Sequence, residues 1–236
     1  MMDIQHPILL HIDTATEVCS VALTAGESIL SVCESSDGNS HSKNLLPYID
    51  KVLNDAQLEK KEIQGVVVSI GPGSYTGLRI GVSTAKGIAY SLQVPVITVS
   101  TLESLANGCK AQFHDSNSCQ IIPMIDARRM EVFAARYGAD LQLIDEVAPI
   151  IVEGNTYADL LAKQSIVFCG NGMPKCKAIL SAYPNAHFED FTLSAQYMLP
   201  TALKKWKAED FADVAYFEPF YLKEYVAAKP NVKGLH

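Results

Sequence analysis

Two short patterns occur twice in this chain, and in the same order. "HIDTATEV" at 11–18 resembles "MIDARRMEV" at 124–132 with one extra residue, and each puts an aspartate at the end of an apolar strand. "VVVSIGPG" at 66–73 resembles "SIVFCGNG" at 165–172, an apolar strand closed by Gly-x-Gly. Repetition of both letters and order implies a duplicated unit, which restricts the chain to two copies of one design. At 236 residues there is room for two such units, each with its own core.

The first unit reads as strands, then helices and strands in alternation. "ILLHIDTATEVCSVALTAGESILSVCESS" (8–36) holds three apolar runs separated by turn residues, an antiparallel meander. Leu45, Ile49, Val52, Leu53 and Ala56 follow at helical spacing, with Pro47 near the helix start. "GVVVSIG" is β-branched and apolar on both sides, as a strand covered on both faces must be. The pattern then predicts a helix from about Thr76 to Leu92, the strand "VPVITVS", and a further helix opened by a capping box of Ser100 and Glu103. The polar, aperiodic stretch 107–120 marks a lobe boundary, giving a first lobe at 1–106 and a second at 107–236, with the C-terminal segment free to pack back on the first. Two βββαβα lobes related by duplication are the architecture of the actin, hexokinase and Hsp70 superfamily. The expected fold is therefore α/β, with two actin-like (ASKHA, ribonuclease H-like) lobes.

Composition removes several functions. Net charge −7 and a pI near 5.3 set the chain against a phosphate backbone, so tight binding of nucleic acid by this chain alone is not expected and any such role needs a partner. The six cysteines form no C-x-x-C pair and read as reduced, packed thiols. The six histidines contain no H-x-x-x-H or H-E-x-x-H pair, which disfavours a zinc or iron hydrolase, and His41 reads as a solvated or capping residue. No apolar run reaches the roughly 20 residues of a membrane span, and the N-terminus lacks a basic start, so a cytoplasmic protein is expected. Trp206 among Lys204, Lys205 and Lys207 reads as a solvated helix face, with base stacking as the alternative.

Two stretches are left for chemistry. "SIGPGSYTGLRIG" (69–81) is neither a dinucleotide fingerprint nor a P-loop, because no lysine follows Thr76 until Lys86. Its helix instead repeats small residues every four positions, at Gly77, Gly81, Ala85 and Ala89. Each glycine costs such a helix about 1 kcal/mol, so the stripe implies a close neighbour: another element of the same chain, a partner chain, or an anion at the helix start. The second stretch is the turn after the first strand, where Asp13, Thr14 and Thr16 are the candidates to face a nucleotide, as in ATP-using members of the superfamily. The matching turn of the second unit carries Arg128 and Arg129 after Asp126, where bulky side chains obstruct phosphate, although they could contact an acidic ligand.

The order "HIDTAT", "HSKNLLP", "SIGPGSYTGLRIGVSTAKGIA", "PMIDARRMEVFAA" and "EPFYLKE" closely resembles the bacterial TsaB family, also called YeaZ or glycoprotease-like proteins, over nearly the whole chain. The resemblance implies the two-lobe fold and a role in making N6-threonylcarbamoyladenosine at position 37 of tRNA. It implies a non-catalytic subunit that activates a TsaD-type paralogue, with a TsaE-type ATPase in the assembly and with ATP and metal on those partners and no cofactor here. It also implies homodimers and heterodimers through first-lobe helices, for which spacing nominates Leu45, Leu46, Ile49, Leu53, Gly77, Gly81 and Ala85. The alternatives are a small-molecule kinase of the same superfamily and a metallopeptidase. If the stripe is a partner surface, Gly81→Leu weakens association and leaves the fold intact; a variant that does not fold places the stripe in the core.

Overall fold

The computed structural model describes residues 6–35, 41–113 and 119–222. His114, His236 and the centre of the polar stretch at 107–120 lie outside the described residues. The first unit runs β1 (Ile8–Asp13), β2 (Cys19–Ala25), β3 (Ser28–Ser35), α1 (His41–Asp55), β4 (Gly65–Gly71), α2 (Tyr75–Leu92), β5 (Val96–Ser100) and α3 (Thr101–Gln112). The second runs β6 (Gln120–Asp126), β7 (Glu131–Tyr137), β8 (Leu143–Ile151), α4 (Ala158–Leu161), β9 (Ile166–Cys169), α5 (Met173–Leu180), β10 (Ala186–Glu189) and α6 (Leu199–Lys207). The sheets are ordered β3-β2-β1-β4-β5 and β8-β7-β6-β9-β10, the same topology twice. In each, the first strand pairs antiparallel with the second and parallel with the fourth.

The matching turns repeat in detail. The Asp13 carboxylate accepts the Ala15 N–H at 2.9 Å, and the Asp126 carboxylate accepts the Arg128 N–H at 2.9 Å. The glycines that end the fourth strands both lie at positive φ, +114° at Gly71 and +88° at Gly170, a backbone that side chains disfavour.

Each unit places its last helix on the other unit's sheet. Leu102, Leu105, Ala106 and Cys109 of α3 join Ile121, Ile125 and Val167 in the core of the second sheet. Leu199, Ala202, Leu203 and Trp206 of α6 join Leu9, Val67, Ile97 and Val99 of the first. The outer face of the first sheet is covered by α1 and α2, and that of the second by α4 and α5. Both sheets are thus buried on both sides, which is why "GVVVSIG" carries no alternation.

Three expectations are corrected here. The helix α3 runs on through Asn107–Gln112, a stretch that reads as linker because it is polar; Asn107 is buried, and its amide donates to Tyr197 O at 3.0 Å and Thr201 Oγ1 at 3.1 Å beside α6. Ser100 is the N-cap of α3, but the expected capping box does not form: its hydroxyl makes no capping hydrogen bond, and the Glu103 carboxylate accepts instead from Thr201 at 2.9 Å. Trp206 is buried and offers no ring for base stacking. The six cysteines are free thiols, and no helix among the described residues is long and apolar enough to cross a membrane.

The core holds two ionisable groups with opposed pH behaviour. Burial pushes the His11 pKa down to about 3, so the folded chain keeps it neutral. Its stability is complete above the unfolded value of about 6.5 and is lost as pH falls from there toward 3. Burial pushes Asp13 up to about 6, against the pull of the Ala15 amide and the Ser69 hydroxyl. That costs stability at neutral pH and relieves it as pH falls from about 6 to about 4. Between those values the two effects cancel. Asp13→Asn keeps the acceptor for Ala15 and removes only one of them. The variant is expected to be more stable than the parent at pH 7 and to lose about 1.4 kcal/mol per pH unit between pH 6 and 4, where urea denaturation finds the parent nearly flat.

Candidate functional site

The turn after β1 is enclosed by the chain itself. Thr14 is fully buried, and its hydroxyl donates to Gly77 O at 2.7 Å on the first turn of α2. The N–H of Ser74 donates to Ala15 O at 2.7 Å, and the Ser74 hydroxyl caps α2 by accepting from Gly77 N. A Cβ on Gly73 would lie 2.3 Å from Ala15 O, one on Gly77 2.1 Å from Thr14 O, and one on Gly81 2.3 Å from Thr14 Oγ1. The glycines of "GPGSYTGLRIG" therefore bring α2 against the Asp13–Thr16 turn, backbone to backbone. The Ala15 amide and the Thr14 hydroxyl, the polar groups of this turn, have partners within the chain, Asp13 and Gly77 O.

His41, at the start of α1, secures the turn from the other side. It is buried, and its Nε2–H donates to Thr16 O at 2.9 Å, so it is not the solvated residue that its sequence context suggests. Of the three candidates to face a nucleotide, Asp13 and Thr14 are sealed, and Thr16 alone reaches a cavity.

That cavity, about 270 Å³, lies between the units and is lined by Thr16, Glu17, Leu105, Asn171, Asp190 and Phe191, among others. Asn171 spans its mouth: its Nδ2 donates to the Glu17 carboxylate at 3.1 Å, and its Oδ1 accepts the Asp126 N–H at 3.0 Å. Across the mouth Asp126 pairs with Lys175. Partial burial favours the neutral acid, but Lys175 and the Arg128 amide outweigh it and hold Asp126 below the ordinary carboxylate range. The charged side chains lining the cavity, Glu17 and Asp190, are carboxylates, which repel a polyphosphate. Among the described residues, no three of His, Cys, Asp and Glu gather where they could hold a metal ion.

The proposed contact residues fall on both sides of the first-lobe surface. Leu45, Ile49, Leu53, Gly77, Gly81 and Ala85 are buried against the sheet or the Asp13–Thr16 turn, so this stripe serves packing within the chain. The reason is that the apolar periodicity of α1 and α2 marks the inner face of each helix. Leu46 alone of the seven is exposed, at 58%. It borders an apolar groove of about 180 Å³ with Ile49, Ile63, Ile88 and Leu92. Glu17, Asn171 and Lys175 are not marked in the sequence as site residues; of the three only Asn171 has a local signal, standing between two glycines as Pro72 does in the first unit.

The sequence profile described as TsaD: tRNA N6-adenosine threonylcarbamoyltransferase matches residues 35–228. The chain is 30% identical over 234 residues to the tRNA threonylcarbamoyladenosine biosynthesis protein TsaB of Escherichia coli, covering 94% of this chain and 96% of that protein. The chain belongs to the TsaB (YeaZ) family. It is also 35% identical over 141 residues to TsaB of Bacillus subtilis, an alignment spanning 60% of this chain and 59% of the relative. YeaZ from Pseudomonas aeruginosa superposes with a TM-score of 0.77 at 25% identity, over 92% of this chain and all of that one. The activator of 2-hydroxyisocaproyl-CoA dehydratase from Clostridium difficile, solved with bound ADPNP, shares the fold at a TM-score of 0.52 and 10% identity over 87% of this chain and 97% of that one.

For this TsaB-family chain the two kinds of glycine in α2 separate cleanly. Gly77→Ala puts a Cβ against backbone and is expected to cost about 3 kcal/mol or more. Gly87 has nothing within 4 Å of an added Cβ, so Gly87→Ala is expected to gain up to about 1 kcal/mol. Thermal denaturation followed by circular dichroism should lower the midpoint for the first variant and raise it for the second; equal shifts would remove the enclosed-turn account.

Proposed function

We propose that this chain is the non-catalytic subunit that binds and activates a TsaD-type enzyme in forming N6-threonylcarbamoyladenosine at position 37 of tRNA. The observation that carries this reading is the outer face of the first unit, where Leu46 stands exposed beside an apolar groove between α1 and α2. Such a face gains most from a protein partner, because apolar side chains left in water there are buried on contact. The closed Asp13–Thr16 turn supports the same reading, since the Thr14 hydroxyl and Ala15 amide, the groups placed to meet a nucleotide's phosphates in an ATP-using relative, are spent on α2 and on Asp13. The names of the similar proteins supply the pathway.

In this proposal the catalytic metal and ATP belong to the TsaD-type and TsaE-type partners. The chain meets tRNA only within the assembly, as its net charge of −7 favours. When alone it forms homodimers through the same face.

The test is a reconstituted reaction with threonylcarbamoyl-AMP synthase, a TsaD-type enzyme, a TsaE-type ATPase, threonine, bicarbonate, ATP and tRNA. Omitting this chain should abolish the modified nucleoside, measured by mass spectrometry of digested tRNA. Leu46→Glu should lower the yield in proportion to lost complex. Asp126→Ala should lower it only as far as assembly suffers. A variant at Asp126 that assembles fully and yields no product would replace the contact role with direct participation in the chemistry.

A further inference from the structure

The chain following α6 returns across the first unit and lies along one flank of α2. The N–H of Ala212 donates to Val96 O at 2.8 Å on the edge strand β5, and the N–H of Phe220 donates to Ile70 O at 2.7 Å at the end of β4. Between these anchors Lys86 of α2 donates to Ala215 O at 3.2 Å and places its ammonium 4.5 Å from the Phe217 ring. At the far end the Tyr221 ring lies 4.8 Å from that of Tyr75, and the Arg79 guanidinium lies over the Tyr75 ring at 4.6 Å. The close approach has shaped the glycine loop, because a Cβ on Gly71 would meet Phe220 O at 2.7 Å.

This strap is fixed from within, yet three of its rings face water. Tyr216 is 82% exposed, and Phe220 and Tyr221 are exposed as well. Tyr90, also 82% exposed, stands one helical turn beyond Lys86 on the same flank of α2. The Leu46 groove, lined by Ile88, Ser91 and Leu92, occupies the opposite flank. Only the exposed ridge of α2, with Ser83 and Gly87, separates them.

We infer that the strap is the aromatic half of the surface that receives the protein partner, so that the partner lies over α2 and touches both the Leu46 groove and Tyr90, Tyr216, Phe220 and Tyr221. The inference rests on the proposed partner reading and adds the strap to it. Tyrosine and phenylalanine bury a large area while losing few rotamers, which is why they concentrate at the centres of protein interfaces. The strap also carries the exposed carboxylates Asp213 and Glu218. Those repel an RNA backbone and favour a protein surface whose apolar patch is bordered by lysine or arginine.

The experiment measures affinity for the purified TsaD-type paralogue of the same organism by calorimetry, and tRNA retention by the assembled complex, for four proteins: parent, Leu46→Glu, Tyr216→Ser, and Tyr216→Ser with Tyr221→Ser. Tyr216 is so exposed that its single variant cannot disturb folding, and circular dichroism checks the double variant. Both strap variants are expected to bind the paralogue more weakly, the double variant by ten-fold or more, with the melting temperature unchanged for Tyr216→Ser and lowered only slightly for the double variant, which also loses the Tyr75 contact. If Leu46→Glu weakens binding and the strap variants do not, the strap lies outside the interface and the inference fails while the partner reading stands. If neither weakens binding, the partner reading itself fails. Unchanged paralogue affinity with reduced tRNA retention would overturn the inference in favour of RNA, and a loss confined to self-association would overturn it in favour of a second copy of the chain.

Discussion

The fold turns on the contact between the start of α2 and the turn after β1, where the Thr14 hydroxyl meets Gly77 O and the Gly73, Gly77 and Gly81 positions leave no room for a side chain. A helix carrying glycine at 77 and 81 sacrifices about 1 kcal/mol at each, and the close packing against β1 offsets it. The same contact commits the Thr14 hydroxyl to α2, while the Ala15 N–H is held by the Asp13 carboxylate. One packing solution thus fixes the first unit and encloses the Asp13–Thr16 turn. His41 reinforces it through Thr16 O, tying α1 to the turn as well.

The second unit reaches the same topology with a different balance of charge. Where Asp13 is buried and raised, Asp126 stands at the surface, paired with Lys175 and held low. Asn171 joins the two turns by accepting from Asp126 and donating to Glu17. The cavity between the units is therefore bordered by committed hydrogen bonds and by carboxylates, while apolar and aromatic side chains are displayed on the outside of the first unit.

The two-lobe fold was legible because duplication wrote the strand-and-turn pattern twice, and "GVVVSIG" declared a strand buried on both faces. The exchange of α3 and α6 between sheets was not, since periodicity tells which face of a helix is apolar and not which sheet will cover it. The same limit misplaced Leu45, Ile49 and Leu53, whose spacing identifies the inner face of α1; Leu46, off the pattern, is the residue left outside. Asn107 and Trp206 misled in opposite directions, a buried amide that resembles linker and a buried indole that sits among lysines. The Glu17–Asn171 and Asp126–Lys175 links join residues far apart in sequence and have no local signature.

The central claim is that this chain works through its surface, its nucleotide turn being closed by its own helix. Calorimetric titration of the isolated chain with ATP and magnesium tests it most directly. The account predicts no saturable heat up to a ligand concentration of about 1 mM, beyond which any affinity would be weaker than about 4 kcal/mol. Stoichiometric binding in the low micromolar range would contradict it, because the Thr14 hydroxyl would then have to leave Gly77 O, and the Ala15 N–H leave Asp13, to hold the phosphates.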